Sequence, residues 1–439
     1  MNVRWQCGVG GIFLLLATLA TACAEVTPQV RATVTTRAMS TILPITTATP
    51  APIRTATSAP VVLRTPTLAS DSITLTFWTT EDLAPGASPA GRVFKEQVDA
   101  FLAANPNVQI DIVYKKPYGK GGILDFLLTT NAVIPARVPD VVALDLAEAP
   151  QAADMLQPFD EWMPVEWRDG LFPFAKQAAQ FNGRWMIVPL AVDIQHLVYD
   201  KTLVARAPRT WDDVLRQKQT WLLPVAGDEA FLLQYSALAL MDTTVNPVSF
   251  DPIVTAQVLD FFKRGHDVGV IPDAALGLKN VEETWLPFAQ GQVAMAHVSA
   301  SRYLTERAQM PNATFAPLPT RDGRGAALVV GWGLGMTSRE PARQVVAARF
   351  IRWLIQSERL ATWLRAARRL PAHRGTLALA VEPPDYAAFL REQLERAAFM
   401  PASSTYAKSA DVWRAVIPAV WKGQITPEEA ARSIAAVGK

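Results

Sequence analysis

Apolar and polar residues alternate over 73–78, where Ile73, Leu75 and Phe77 are spaced by Thr74, Thr76 and Trp78. A period of two with β-branched and aromatic side chains predicts a strand. From 94 to 104 the period becomes helical, with Val98, Phe101 and Leu102 on one face and Asn105-Pro106 as the stop. A second strand is expected at 108–114, a short helix at 122–128 and a third, wholly apolar strand at 140–144. Strands alternating with helices predict a parallel sheet covered on both faces.

The second half continues in this style. Residues 183–215 read GRWMIVPLAVDIQHLVYDKTLVARAPRTWDDVL: an apolar strand, an acid at Asp193, a Tyr-Asp-Lys turn, then a helix. Thr210, three residues before Asp213, predicts a capping box for that helix. A strand is expected at 293–298 and an amphipathic helix at 338–356, with Val345, Ala348, Ile351, Trp353 and Ile355 at apolar positions. Thr426-Pro427-Glu428-Glu429 opens the last helix with an N-cap, Pro at N1 and Glu at N3. No repeat of fixed period is apparent.

The amino-terminal segment differs from all of this. A polar start with Arg4 precedes an apolar run from Gly8 to Ala22, too short for a membrane span of about 20 residues and fitting a secretory leader. The small residues before Cys23 resemble a bacterial lipobox, with Leu19 one place further from the cysteine than usual and Ala20 in its position. Residues 1–22 are thus expected to be a lipoprotein signal peptide and Cys23 the lipidated first residue of the mature chain. The alternative is an uncleaved signal anchor. Residues 23–71 are rich in Thr, Pro and Ala and predict an extended tether that reaches on the order of 100 Å.

Composition narrows the function classes. A chain of 439 residues favours two or three domains, and its 50% apolar content is ample for their cores. A net charge of +2, without blocks of like charge, gives no electrostatic case for nucleic acid. Besides Cys7 in the leader only Cys23 is present, so no disulfide, Cys-based metal site or Cys nucleophile is expected in the folded part. The four histidines are scattered, which argues against a zinc site.

The order of several short segments resembles the extracellular solute-binding proteins of bacterial ABC sugar importers, near the maltodextrin-binding branch. These segments are Leu75-Thr76-Phe77-Trp78, FLAANPNV at 101–108, Val138-Pro139-Asp140-Val141-Val142, Leu156-Gln157-Pro158-Phe159-Asp160, the 183–215 stretch, Phe288-Ala289-Gln290-Gly291, Ala316-Pro317-Leu318-Pro319, and the closing run from Phe399 through Trp413 to Ala430. The resemblance implies an α/β, two-lobe periplasmic-binding-protein-like fold of type II, each lobe a mostly parallel sheet flanked by helices. The chain would cross the hinge more than once. Lobe 1 would hold 72–191 plus 318–375, and lobe 2 would hold 192–317 plus 376–439. It further implies a monomeric receptor, lipid-anchored on the outer face of the cytoplasmic membrane. Such a receptor captures a carbohydrate or related polar solute and delivers it to permease subunits served by a separate ATPase. No cofactor, metal or catalytic residue is implied.

Sugar sites combine aromatic faces, which cover the C–H side of the ring, with carboxylates and amides that bond its hydroxyls. Asp193 takes the place of the hinge acid in the resembled motif; the competing reading is a solvated strand-end acid. Trp78, Glu81 and Asp145 stand at or just beyond strand ends, where doubly wound sheets bind ligands. Trp413 matches a ring-stacking aromatic of the maltodextrin branch, against core packing of a helix. Trp332 lies between Gly331 and Gly333, where backbone can approach a ligand. Tyr303 follows the 293–298 strand, with Ser301 nearer the family's aromatic position, and Asp228 and Glu229 resemble a cleft acid of the second lobe. Leu146 and Ala147 stand where the branch tends to be polar, which leaves the solute open. Two other classes remain: a two-lobe receptor for sensing or signalling, and a carbohydrate-active enzyme. No carboxylate spacing singles out a glycosidase pair, and neither a nucleophile elbow nor a Gly-rich phosphate loop is present.

Overall fold

Strand alternation builds one continuous sheet. The computed structural model describes residues 72–83, 86–239 and 247–437; the expected leader, Cys23 and the tether lie outside them. In chain order the strands are β1 (Ile73–Thr80), β2 (Val108–Lys115), β3 (Val141–Asp145), β4 (Gln180–Phe181), β5 (Arg184–Trp185) and β6 (Ile187–Asp200). Then come β7 (Trp221–Leu222), β8 (Met295–Ser299), β9 (Ala313–Ala316), β10 (Leu328–Met336) and β11 (Ala398–Phe399). Nine of these form a sheet ordered β2-β1-β3-β10-β6-β8-β7, with β11 beside β10 and β9 beside β6; β4 and β5 form a separate hairpin.

Parallel pairing holds where helices make the crossovers: β1 with β2 and β3, and β7 with β8. The two long strands run against most of their neighbours, β10 antiparallel to β3 and β6 but parallel to β11, and β6 antiparallel to β8 and β9 as well. The division of β6 matters most. Its residues 187–194 pair with β10, whereas 195–200 pair with β8 and β9. One strand therefore belongs to two halves of the sheet and changes partners between Ile194 and Gln195. Its first twelve residues are buried, as its apolar run requires. A later segment lies beside it, where Val192 and Leu370 exchange backbone hydrogen bonds of 2.8 and 2.9 Å.

Helix ends follow local chemistry more closely than apolar spacing. The first helix, Pro89–Ala104, begins five residues before the periodic signal at Phe94, because Ser88 accepts from the Gly91 N–H and Pro89 occupies N1. The helix expected at 122–128 extends over Ile123–Val133, and the one expected at 338–356 is Pro341–Leu354. The Thr210 capping box forms on both sides, Thr210 with Asp213. Thr426 and Glu429 make the same reciprocal pair at the last helix, Pro427–Val437.

In the first half of the sheet, Asp140 is a buried tie. Its carboxylate accepts from the Thr76 N–H at 2.8 Å and is clasped by the Arg343 guanidinium, joining β1, the start of β3 and the helix Pro341–Leu354. Strand β10 carries Gly331, Gly333 and Gly335 at alternate positions, so from 331 to 335 one of its faces has no side chains. A Cβ at Gly333 would stand 2.8 Å from Leu146 Cδ2, and one at Gly335 2.6 Å from Leu156 Cδ2. The bare face admits these two leucines against the sheet.

Candidate functional site

Two connected cavities open where β6 changes partners. One, of about 360 Å³, is lined by residues 191–195 of β6, Asp82, Glu282, Ser299, Ser301, Trp332 and Arg369. The other, of about 400 Å³, is lined by Asp145, Glu148, Asp228, Lys279, Phe399 and Tyr406 among others. Tyr118, Glu229, Val330, Gly331 and Met400 line both. A larger hollow of about 780 Å³ lies between Trp211, the helix Pro252–Asp267 and the last helix. It contains none of the sequence-predicted site residues.

Asp193 lines the first cavity and is 4% exposed. Its Oδ1 accepts from the N–H groups of Ile194 (2.9 Å) and Ser301 (3.2 Å), and its Oδ2 lies 3.4 Å from Arg369 Nη1. Burial pushes this carboxyl up, while Arg369 and Ser301 pull it back. Asp193 thus joins the crossing strand, the 369–370 segment and the start of the helix Ala300–Glu306. Carboxylate oxygens carry further lone pairs, so it can still accept from a solute.

Asp145, the last residue of β3, is fixed in the second cavity. The Ala147 and Glu148 N–H groups donate to Oδ1 (2.8 and 3.3 Å), and the Tyr118 hydroxyl donates to Oδ2 (3.1 Å). Burial raises its carboxyl above the usual range. The Tyr118 ring lies 5.5 Å from that of Trp332, giving an aromatic wall beside an acceptor. Opposite, the helix Asp228–Ser236 presents its first turn. Asp228 accepts from the Tyr406 hydroxyl (3.1 Å) and pairs with Arg414. Glu229 is raised to about 7 by burial and by the charge of Asp228, against the N–H groups of its own residue and Val281, which favour the anion. Its Oε2 is shielded from solvent and has no hydrogen-bond donor from the protein. Glu282 accepts from Ser299 Oγ (2.5 Å) and pairs with Arg302 (2.9 Å).

The structure therefore brings five sequence-predicted residues, Asp145, Asp193, Trp332, Asp228 and Glu229, to the cavities. The other four lie elsewhere. Trp78 is not at the end of β1, which continues to Thr80; it is buried, with Lys115 Nζ 4.7 Å from its ring centroid. Glu81 is exposed just after β1, and its neighbour Asp82 lines the cavity instead. Tyr303 is enclosed by His196, Phe315 and Tyr386 at ring separations of 4.8–5.9 Å, and Ser301, one half-turn earlier, reaches the cavity. Trp413 is fully buried between Phe231 (4.5 Å) and Tyr406 (5.7 Å). It backs the Tyr406 ring, which lines the cavity.

Several lining residues escaped the sequence reading. Tyr118 had a signal, since it precedes Gly119 and Gly121, both at positive φ in a turn after β2. Arg369 and Glu282 had none, because distant packing brings them to the cavity. Among the described residues no cluster is suited to hold a metal ion, and no helix is long and apolar enough to cross a membrane.

Comparison with known proteins places this geometry. The sequence pattern described as bacterial extracellular solute-binding protein matches residues 96–389. The maltotriose-binding protein of Pyrococcus abyssi (strain GE5 / Orsay) is 26% identical over 126 residues, which is 28% of this chain and 26% of that protein. The match thus spans about a quarter of that relative's length. Among solved structures, the sugar-binding protein MalE of Xanthomonas citri superposes with a TM-score of 0.69 at 21% identity, over 83% of this chain and 96% of that one. Maltose-bound MalE3 of T. maritima gives a TM-score of 0.66 at 20% identity, over 83% and 99%. At these identities the superpositions establish the fold, which is the two-lobe α/β fold of type II periplasmic binding proteins.

Proposed function

The chain belongs to the bacterial extracellular solute-binding protein family, a family of binders rather than enzymes, and on that premise we propose that it is the receptor of an ABC importer for a carbohydrate. It captures the solute in the connected cavities at the β6 crossing and delivers it to membrane permease subunits. The observation that carries this reading is the lining itself. Carboxylates that accept hydroxyl hydrogen bonds (Asp145, Asp193, Glu229) stand beside the Tyr118 and Trp332 rings, the pairing that sugar recognition requires. The names of the relatives support the same class, since those proteins bind maltose or maltotriose.

The proposed lobes are 72–191 with 318–375, and 192–317 with 376–439. The stretch of β6 from the proposed boundary at 191/192 to the change of partner at Ile194/Gln195 acts as hinge, and a solute with better contacts in the closed form drives closure. Membership of the family implies export. The proposed anchor is a lipid on Cys23, with residues 23–71 as tether and the receptor monomeric at the cell surface or in the periplasm.

A thermal-shift screen over mono- and oligosaccharides, polyols and glycerophosphodiesters tests the reading, because a ligand of the native state raises the melting temperature. Saturable stabilisation without turnover of the sugar is expected. Turnover of a bound sugar, or no stabilisation by any carbohydrate, would overturn it. Cys23→Ser should move the expressed protein from the membrane fraction to the soluble fraction; retention in the membrane fraction would exclude the lipid anchor.

A further inference from the structure

Tyr118 stands apart among the residues that line the two cavities. It lines both and is 48% exposed, whereas the Trp332 and Asp145 that it touches are only 6% and 8% exposed. One side chain meets both of them. Its ring centroid lies 5.5 Å from that of Trp332, tilted by 44°, and its hydroxyl donates to Asp145 Oδ2 at 3.1 Å. Burial first, then the Asp145 charge, push the Tyr118 hydroxyl up, so the phenol keeps its proton and stays the donor. A phenol placed in this way offers what a sugar ring offers: an apolar face for an aromatic partner and a hydroxyl for a carboxylate.

The backbone around Tyr118 is fixed while its side chain has a way out. The turn closes through the Ile123 N–H to the Lys116 carbonyl (2.8 Å) and the Gly122 N–H to the Gly119 carbonyl (2.8 Å), and Asp125 accepts from the Gly121 N–H at 2.7 Å. Gly119 and Gly121 take positive φ, and a Cβ at Gly122 would stand 2.6 Å from the Tyr118 carbonyl carbon, so the turn depends on its glycines. With nearly half of its surface in solvent, the Tyr118 side chain can leave by rotation about its own bonds, a fast motion for an exposed side chain. Asp145 does not depend on it for position, because Oδ1 is held by the Ala147 and Glu148 N–H groups.

Resting on the carbohydrate-receptor reading above, we propose that Tyr118 is an internal stand-in for the solute: in the ligand-free receptor it fills the Trp332–Asp145 subsite, and it sets specificity because a solute must supply both a ring face and a hydroxyl there to displace it without loss. On binding, the solute ring takes the Trp332 face, one of its hydroxyls donates to Asp145 Oδ2, and the Tyr118 ring turns outward. A site filled by its own side chain is competent only for the fraction of time that the side chain is out, and the apparent affinity is reduced by that fraction. Loosening Tyr118 therefore tightens binding. Removing a ring on which the solute merely stacks does the reverse.

The test is calorimetric titration and stopped-flow fluorescence of the parent, Tyr118→Phe and Tyr118→Ala, with the mono- and oligosaccharides of the thermal-shift screen, maltose and maltotriose among them. Tyr118→Phe keeps the ring on Trp332 but releases Asp145, and should bind about threefold tighter or more. Tyr118→Ala loses both contacts and should bind about tenfold tighter or more. Association should be faster in both variants, and a sugar bound by a variant alone supports the stand-in as well. Should Tyr118→Ala fail to fold, Tyr118→Phe decides by itself. If a sugar binds the parent and either folded variant binds it no more tightly, the stand-in falls and the carbohydrate receptor stands. If no sugar binds the parent or the variants, both fall.

Discussion

Glu229 is unusual because its environment opposes its charge, and this has a definite stability signature. In the unfolded chain a glutamate loses its proton near pH 4.3, about its ordinary value; in the fold the carboxyl holds it to about 7. Between those values the native state binds more protons than the unfolded state, so stability falls as pH rises through the window. Glu229→Gln should therefore stabilise the ligand-free protein by about 2–3 kcal/mol near pH 8 and by nothing near pH 4, as urea midpoints at the two pH values will show. Trp413 and Trp332 should separate in the opposite sense. Trp413→Ala removes a fully buried ring and should cost about 3–5 kcal/mol of folding stability, with little change in solute affinity of the folded protein. Trp332→Ala should weaken binding of whichever sugar the screen identifies by about 1 kcal/mol or more in titration. Position at a strand end was enough to mark Asp145, whereas Asp193 lies inside β6 and was marked by the order of the motif around it. Trp413 and Tyr303 were not readable in the same way. Both lie on helices, and which helix face meets the cavity depends on partners far away in sequence, such as Phe231 and Tyr386.

At the level of elements, capping and turn chemistry survive the passage from sequence to structure well. Thr210 and Thr426 cap as their spacing with Asp213 and Glu429 requires. The early start of the first helix at Pro89 was hidden because Ala90 and Gly91 add no apolar period, though Ser88-Pro89 is itself a start signal. The direction of β6 and β10 was less accessible: alternating strands and helices suggest parallel pairing, and nothing local reveals that two long strands recross the sheet. The glycine spacing of β10 is a trace of that arrangement. It permits a close approach that a side chain would block, so Gly333→Ala should destabilise by about 1–3 kcal/mol in chemical denaturation. The new methyl meets Leu146 Cδ2 at 2.8 Å and the Val188 carbonyl oxygen at 3.1 Å. An unchanged midpoint would show that Leu146 can yield and that the bare face is not tightly filled.

Across the whole molecule, two histidines beside the crossing are held neutral. His196 and His297 are both buried, and burial lowers them to about 4 and about 3 respectively. His196 Nε2 lies 2.9 Å from the Tyr386 hydroxyl, and His297 Nε2 lies 3.2 Å from Gln195 Oε1. Unfolded histidines take up protons near pH 6.5, so the contribution of this pair to stability is complete above about that pH and is lost as pH falls toward their folded values. His297→Gln should flatten this acid limb in a series of urea midpoints between about pH 7 and about pH 4. A limb as steep as the parent's would assign acid sensitivity elsewhere. The β6 crossing itself sets a rule about chain length. Side chains of a strand alternate between faces, so a single residue inserted between Ile194 and Gln195 would turn the whole of 195–200 over. His196 would leave its aromatic enclosure, and the solute-facing half of the strand would no longer match the half that anchors it. Loops elsewhere in such a receptor can lengthen or shorten with little penalty. This strand cannot, and homologues that diverge everywhere else should still count the same number of residues through it.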